Sequence, residues 1–110
     1  GRIGEFELTA EGFSPLGEFA PGIGHMQGAV RWGDEVFVSQ SDGLRPGALW
    51  RGRFGSLTRS AVPLPAGCQD LALDVDASVL WSLGEHPWHR VVRGIPLATL
   101  RATKTEGERA

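Results

Sequence analysis

The 110-residue chain has one cysteine, one lysine and no asparagine, and neither sign of charge dominates. The single Cys68 excludes an internal disulfide and a multi-cysteine zinc site. Lying in an apolar stretch, it reads as a small buried hydrophobe. The formal net charge of −2 is too balanced for an electrostatic nucleic-acid binder, which would carry a basic face and a high pI. No apolar run approaches the ~18 residues of a membrane-spanning helix, so no membrane partner is expected. No Gly-x-Ser-x-Gly elbow is present. There is no phosphate loop or dinucleotide fingerprint either, since Gly22-Ile23-Gly24-His25-Met26 lacks the third glycine and a following helix.

Glycine and proline are abundant. Sixteen Gly and 7 Pro make up about a fifth of the chain, roughly twice the usual share, and exclude a bundle of long helices. With 41% apolar and 22% charged residues, there is enough apolar mass for a core, which excludes a disordered tail. The length suits one small domain. A chain that begins at Gly1, with no signal-peptide pattern, is expected to be a processed domain or a piece of a longer one.

Short apolar runs alternate with Gly, Pro and Asp turns throughout. Ile3 to Leu8 and Phe13 to Ala20 form a first pair, the second broken by Pro15 and Gly17 as an edge strand would be. Ala29 to Trp32 and Glu35 to Ser39 flank the tight turn Gly33-Asp34. A polar loop over residues 41–47 leads to Ala48–Phe54 and then Leu57–Leu64, which Pro63 and Pro65 end. Leu71–Val75 and Ser78–Leu83 form a hairpin around Asp76-Ala77. A second polar loop precedes Trp88–Ile95. Residues 101–110 read as a polar, frayed tail. Strands every ~8 to 12 residues with turns between them indicate an all-β fold.

The chain also aligns with itself. At a shift of 43, Ala29-Val30 falls on Ala72-Leu73, and Val36-Phe37-Val38-Ser39 on Val79-Leu80-Trp81-Ser82. At a shift of 42, Leu49-Trp50-Arg51-Gly52 falls on Val91-Val92-Arg93-Gly94, and Gln27 on Gln69. A period of ~40 to 45 residues with four short strands is that of a β-propeller blade. The expected organisation is a partial blade over residues 1–21, a full blade over 22–65 and a partial blade over 66–100. That makes about two and a quarter four-stranded antiparallel blades. In this arrangement the inner strands carry small residues (Gly28, Ala29, Ala72), and the run Val36-Phe37-Val38 is buried on both faces. Trp81 and Trp50 are expected to pack between blades, and Ser39 and Ser82 to bond a neighbouring strand's backbone. Closed propellers need about four or more blades, so other chains or a longer chain would complete the ring.

His25-Met26-Gln27-Gly28-Ala29-Val30 followed by Val36-Phe37-Val38-Ser39-Gln40-Ser41-Asp42-Gly43 resembles a blade of uncharacterised actinobacterial propeller-like proteins, with their Q-G-x-A-V and V-x-S-x-S-x-G-R pattern. Arg90-Val91-Val92 and Ile95-Pro96-Leu97-Ala98-Thr99-Leu100 are similar to the closing strand and helix-like end of those proteins. The likeness covers roughly residues 2–100. Two departures stand out: Gln69-Asp70 replaces the Glu-Gly of the family's following blade, and the loop over residues 84–89 is shortened. The resemblance implies the propeller fold, a C-terminal position in a longer propeller, and secretion, as for many of those proteins. It implies no established activity.

Few side chains suggest chemistry. Asp74, Asp76 and Ser78 with Glu85 have the spacing of a calcium loop, but Val79 occupies the position that needs Gly, so a plain hairpin turn is expected. His86 and His89 could meet at a metal, though zinc wants three or four ligands. Cys68 with His25 is a conceivable dyad and is not favoured. The leading expectation is a non-enzymatic binding or scaffold module whose face lies where loops 22–27, 41–47 and 66–70 gather. His25, Gln27, Ser41, Asp42, Arg45, Gln69 and Asp70 are the candidate polar contacts. The partner would be a small molecule or protein, no cofactor is implied, and assembly of several copies would supply missing blades. The alternative is a hydrolase or lactonase holding a divalent metal at the propeller axis. That class draws on Asn as well as Glu and Asp, and only Asp70 and His25 offer themselves here.

Overall fold

The computed structural model describes residues 1–86, 89–102 and 105–109. They form eleven strands and one short helix, all strand pairings being antiparallel, with no closed barrel. β1 (Ile3–Thr9) and β2 (Gly12–Phe19) form a hairpin. β3 (Met26–Trp32), β4 (Glu35–Asp42), β5 (Arg45–Arg53) and β6 (Ser56–Ser60) form a meander in chain order. Short β7 (Leu64–Ala66) pairs with the start of β5. β8 (Cys68–Asp74), β9 (Val79–His86) and β10 (His89–Pro96) form a second, three-stranded meander. The chain then passes through α1 (Leu97–Ala102) to β11 (Thr105–Arg109), which pairs with β6 and widens the first meander. The expected frayed tail is therefore corrected at 101–102, which close a helical turn, and at 105–109, which pair as a strand. The expected single strand over Leu57–Leu64 is also corrected. It breaks at Ser60, whose Oγ accepts a hydrogen bond from Val62 N at 3.1 Å, and resumes as β7 with Pro65 inside it.

Two apolar clusters cover opposite faces of β3–β6. Along β4, Phe37 points to one side, where it joins Leu49, Leu71, Leu80, Ile95, Leu97 and Leu100 under the β8–β10 sheet. Val36 and Val38 point to the other side, where they join Ala48, Trp50 and Leu57, with Ile3 of β1 against them. The stacking of Phe19 on Phe54, with ring centroids 3.9 Å apart, fastens the hairpin to this second face. The middle sheet is thus buried from both sides, as a strand that reads as a continuous apolar run requires. Trp50 belongs to the core, but Trp81 is 41% exposed on the outer face of β8–β10, against the expectation that it is covered.

β3 and β8 pass close together in the same sense, Gly28 lying against Asp70 and Leu71 and Cys68 against Gln40, the partner of Met26. A Cβ on Gly28 would lie 2.7 Å from both Leu71 N and Asp70 Oδ1 and 3.0 Å from Asp70 Cα. Only glycine allows the two backbones this approach. Ser39 Oγ donates to Gly28 O at 3.4 Å, as expected of it. Ser82 Oγ is buried with no hydrogen-bond partner among the described residues, which corrects the matching expectation there.

The self-alignment at a single shift of 43 puts Phe37 over Leu80, yet these two side chains face each other within one cluster. The hairpin loops explain the discrepancy. The β3–β4 loop is Gly33-Asp34, whereas the β8–β9 loop runs from Val75 to Ser78 and is two residues longer. Asp74 Oδ1 shapes the longer loop by accepting from Ala77 N at 3.0 Å, and Ser78 takes a positive φ of 53°. One residue of misalignment reverses every side chain in a strand.

Candidate functional site

All seven candidate residues lie at one end of the meanders, where β3, β5 and β8 begin and β4 ends. His25 takes a left-handed φ of 55°, uncommon for a non-glycine residue, and this turns its carbonyl towards β4. Its O accepts a hydrogen bond from Ser41 N at 3.1 Å. At the matching point of the other meander, Gly67 takes a φ of 65° and its O accepts from Glu85 N at 3.0 Å. β3 and β8 then each carry one extra residue opposite their partner, between Met26 and Gly28 and between Cys68 and Leu71. Gln27 occupies the first bulge, and Gln69 and Asp70 the second. Bulges of this kind re-aim side chains at sheet edges.

Gln27, Gln69 and Asp70 are exposed, as are His25, Asp42 and Arg45, while Ser41 is half-buried. Asp42 and Arg45 face each other across the β4–β5 turn. Asp70 Oδ1 accepts from Leu71 N at 2.8 Å, so its carboxylate is partly engaged at the strand start. His25 and Gln27 line an open cleft of about 430 Å³ with Arg2, Ile3 and Met26. Asp70 instead borders a separate cleft of about 120 Å³ with Leu71, Trp81 and Val92. The structure thus places the seven at one end, with His25 and Gln27 on one cleft, Asp70 on another, and Asp42 and Arg45 at a turn.

Gln40 is absent from the sequence-based set, yet it ties this end together. Its Nε2 donates to Gly24 O at 3.0 Å, and its Oε1 accepts from Trp50 Nε1 at 3.0 Å. Its backbone O accepts from Cys68 Sγ at 3.4 Å. One side chain and its own carbonyl therefore join loop 20–25, β5 and β8. The only local signal is a polar residue that closes the apolar run of β4. Cys68 is fully buried, as expected, and burial pushes its thiol above the ordinary value of 9.0. That holds it in the unreactive protonated form.

Among the described residues no three His, Cys, Asp or Glu side chains converge in a way that could hold a metal ion. The His86 and His89 side chains, with Pro87 and Trp88, lie outside what is described. Asp74 and Asp76 sit at the β8–β9 turn, where Asp74 serves the turn backbone. No family model matches the chain, and no curated protein or solved structure matches it.

Proposed function

We propose that this chain is a run of β-propeller-type blades, about two and a quarter of them, of the kind seen in the uncharacterised actinobacterial proteins that it resembles. We propose further that it acts as a non-enzymatic binding or scaffold module. Its ligand, a small molecule or a segment of protein, would sit at the end bearing His25, Gln27, Ser41, Asp42, Arg45, Gln69 and Asp70.

The observation that carries this reading is the pair of matching locks at that end, Ser41 N to His25 O and Glu85 N to Gly67 O. They relate β3 to β8 by 42 residues and β4 to β9 by 44, the difference being the two extra residues of the second hairpin loop. With that correspondence, equivalent side chains of the two meanders face the same way round the stack, as successive blades require. The parallel approach of β3 and β8 at Gly28 suits two inner strands beside a common axis, and β6 leads through β7 to β8 as an outer strand leads to the next inner one. The locks hold three loops rigidly at one end, and rigid scaffolds with polar loops are where binding sites concentrate.

The test is 15N-edited NMR of the chain titrated with a set of mono- and oligosaccharides and short peptides. Shifts clustered on residues 25–27, 41–45 and 69–70, and lost in Arg45→Ala, support the assignment. Shifts clustered elsewhere, or none with any probe, refute it.

A further inference from the structure

We propose that the outer face of the β8–β10 sheet is a docking surface for a second copy of this chain, which seats its β1–β2 hairpin there, head to tail. The proposal rests on the blade correspondence just described. With β4 matched to β9 by 44 residues, Trp81 stands where the middle sheet has Phe37 and Leu83 where it has Ser39. Ser39 pairs with Leu49 and Leu83 with Val92, so Val92 stands where the middle sheet has Leu49. Phe37 and Leu49 are fully buried, covered by the next sheet in the stack. Their counterparts Trp81 and Val92 are 41% and 66% exposed. The face that is an interface inside the molecule recurs, uncovered, at its end.

The opposite end of the stack is uncovered in the same way. Phe6, Leu8, Phe13 and Leu16 of the hairpin are exposed, and Phe6 and Phe13 meet edge to face with ring centroids 6.4 Å apart. Monomeric proteins seldom leave contiguous apolar patches of this kind open. A head-to-tail contact covers both faces with one interface, whereas a two-fold contact between β8–β10 faces leaves the hairpin bare. Shape favours the same choice. The cleft of about 120 Å³ beside Trp81, Leu83 and Val92 offers a slot for an exposed ring such as Phe13. Heterologous contacts of this kind build rings or chains of subunits.

Sedimentation velocity over a concentration series tests the proposal. The chain should associate in a concentration-dependent way, and Val92→Glu and Phe13→Glu should each weaken association at least tenfold. Mixed together, the two variants should form a heterodimer, because each retains the face that the other lost. A wild-type chain that stays monomeric overturns the proposal. Association that survives Phe13→Glu overturns it in favour of a two-fold contact. The Gly28–Leu71 contact, followed by NMR in the Val92→Glu monomer, keeps the two readings apart. If it persists without wild-type association, the docking proposal alone fails; if it is absent, the blade correspondence fails with it.

Discussion

Replacing Gly28 by alanine probes the approach of β3 to β8 directly. The added methyl carbon would sit 2.7 Å from Leu71 N and 3.0 Å from Asp70 Cα, both backbone atoms, and 2.7 Å from Asp70 Oδ1. Asp70 can swing its carboxylate aside, but then Leu71 N loses its acceptor. The backbone contacts are relieved only by moving β8 away from β3, which loosens the cluster around Phe37, Leu71 and Leu80. Overpacking of this kind costs about 1–3 kcal/mol. Removing a glycine from a strand returns roughly 0.5–1 kcal/mol. The net expectation is a loss of about 1–2 kcal/mol, read as a lower urea midpoint by tryptophan fluorescence. Gly24→Ala is the control, because nothing lies within 4 Å of its Cβ position and its φ is not positive. It should change stability by no more than about 0.5 kcal/mol. A Gly28→Ala protein as stable as the wild type would refute the close approach.

Other expectations follow from the same contacts. Arg51 donates to Leu100 O at the end of α1 and to Glu35 Oε2 at 3.2 Å, and the Arg101 guanidinium lies 4.6 Å from the Trp32 ring centroid. Arg51→Ala should therefore cost about 1–3 kcal/mol and speed amide exchange across Leu97–Ala102, measured by mass spectrometry. The folded state keeps the Cys68 proton to higher pH than the unfolded chain does, so Cys68 contributes stability that declines as pH rises past 9.0. Urea titrations between neutral and strongly alkaline pH should show a shallower decline in Cys68→Ala. In the wild type the buried Cys68 thiol should react with a disulfide reagent only on unfolding. Arg45→Ala, at an exposed turn, should leave the urea midpoint within about 0.5 kcal/mol of wild type while abolishing any ligand response at the loop end.

Strands were legible wherever local alternation and turn chemistry agreed. The run Val36-Phe37-Val38 and the turn Gly33-Asp34 announced β4 and its hairpin, and burial on both faces followed from the lack of alternation. The break at Ser60 was not legible, because it depends on a side chain bonding the backbone two residues on. Nor was β11, whose partner β6 is distant in sequence. The second hairpin loop hid its two extra residues, since Val75 and Ser78 look as strand-like as their neighbours, and this slipped the self-alignment by one. At the candidate site, exposed polar residues beside turns were visible in the sequence. The role of Gln40 was not, because its partners Gly24, Trp50 and Cys68 meet it only in three dimensions.

The stacking of β3 beside β8 in parallel underlies the blade reading, the position of the loop end and the identity of the uncovered faces. Through-space NMR contacts of Gly28 measure it most directly. The expected result is cross-peaks from Gly28 to Asp70 and Leu71, with Gln40, the partner of Met26, against Cys68 at the same end. Cross-peaks placing Met26 beside Asp74, as an antiparallel arrangement of the two inner strands would, contradict the account.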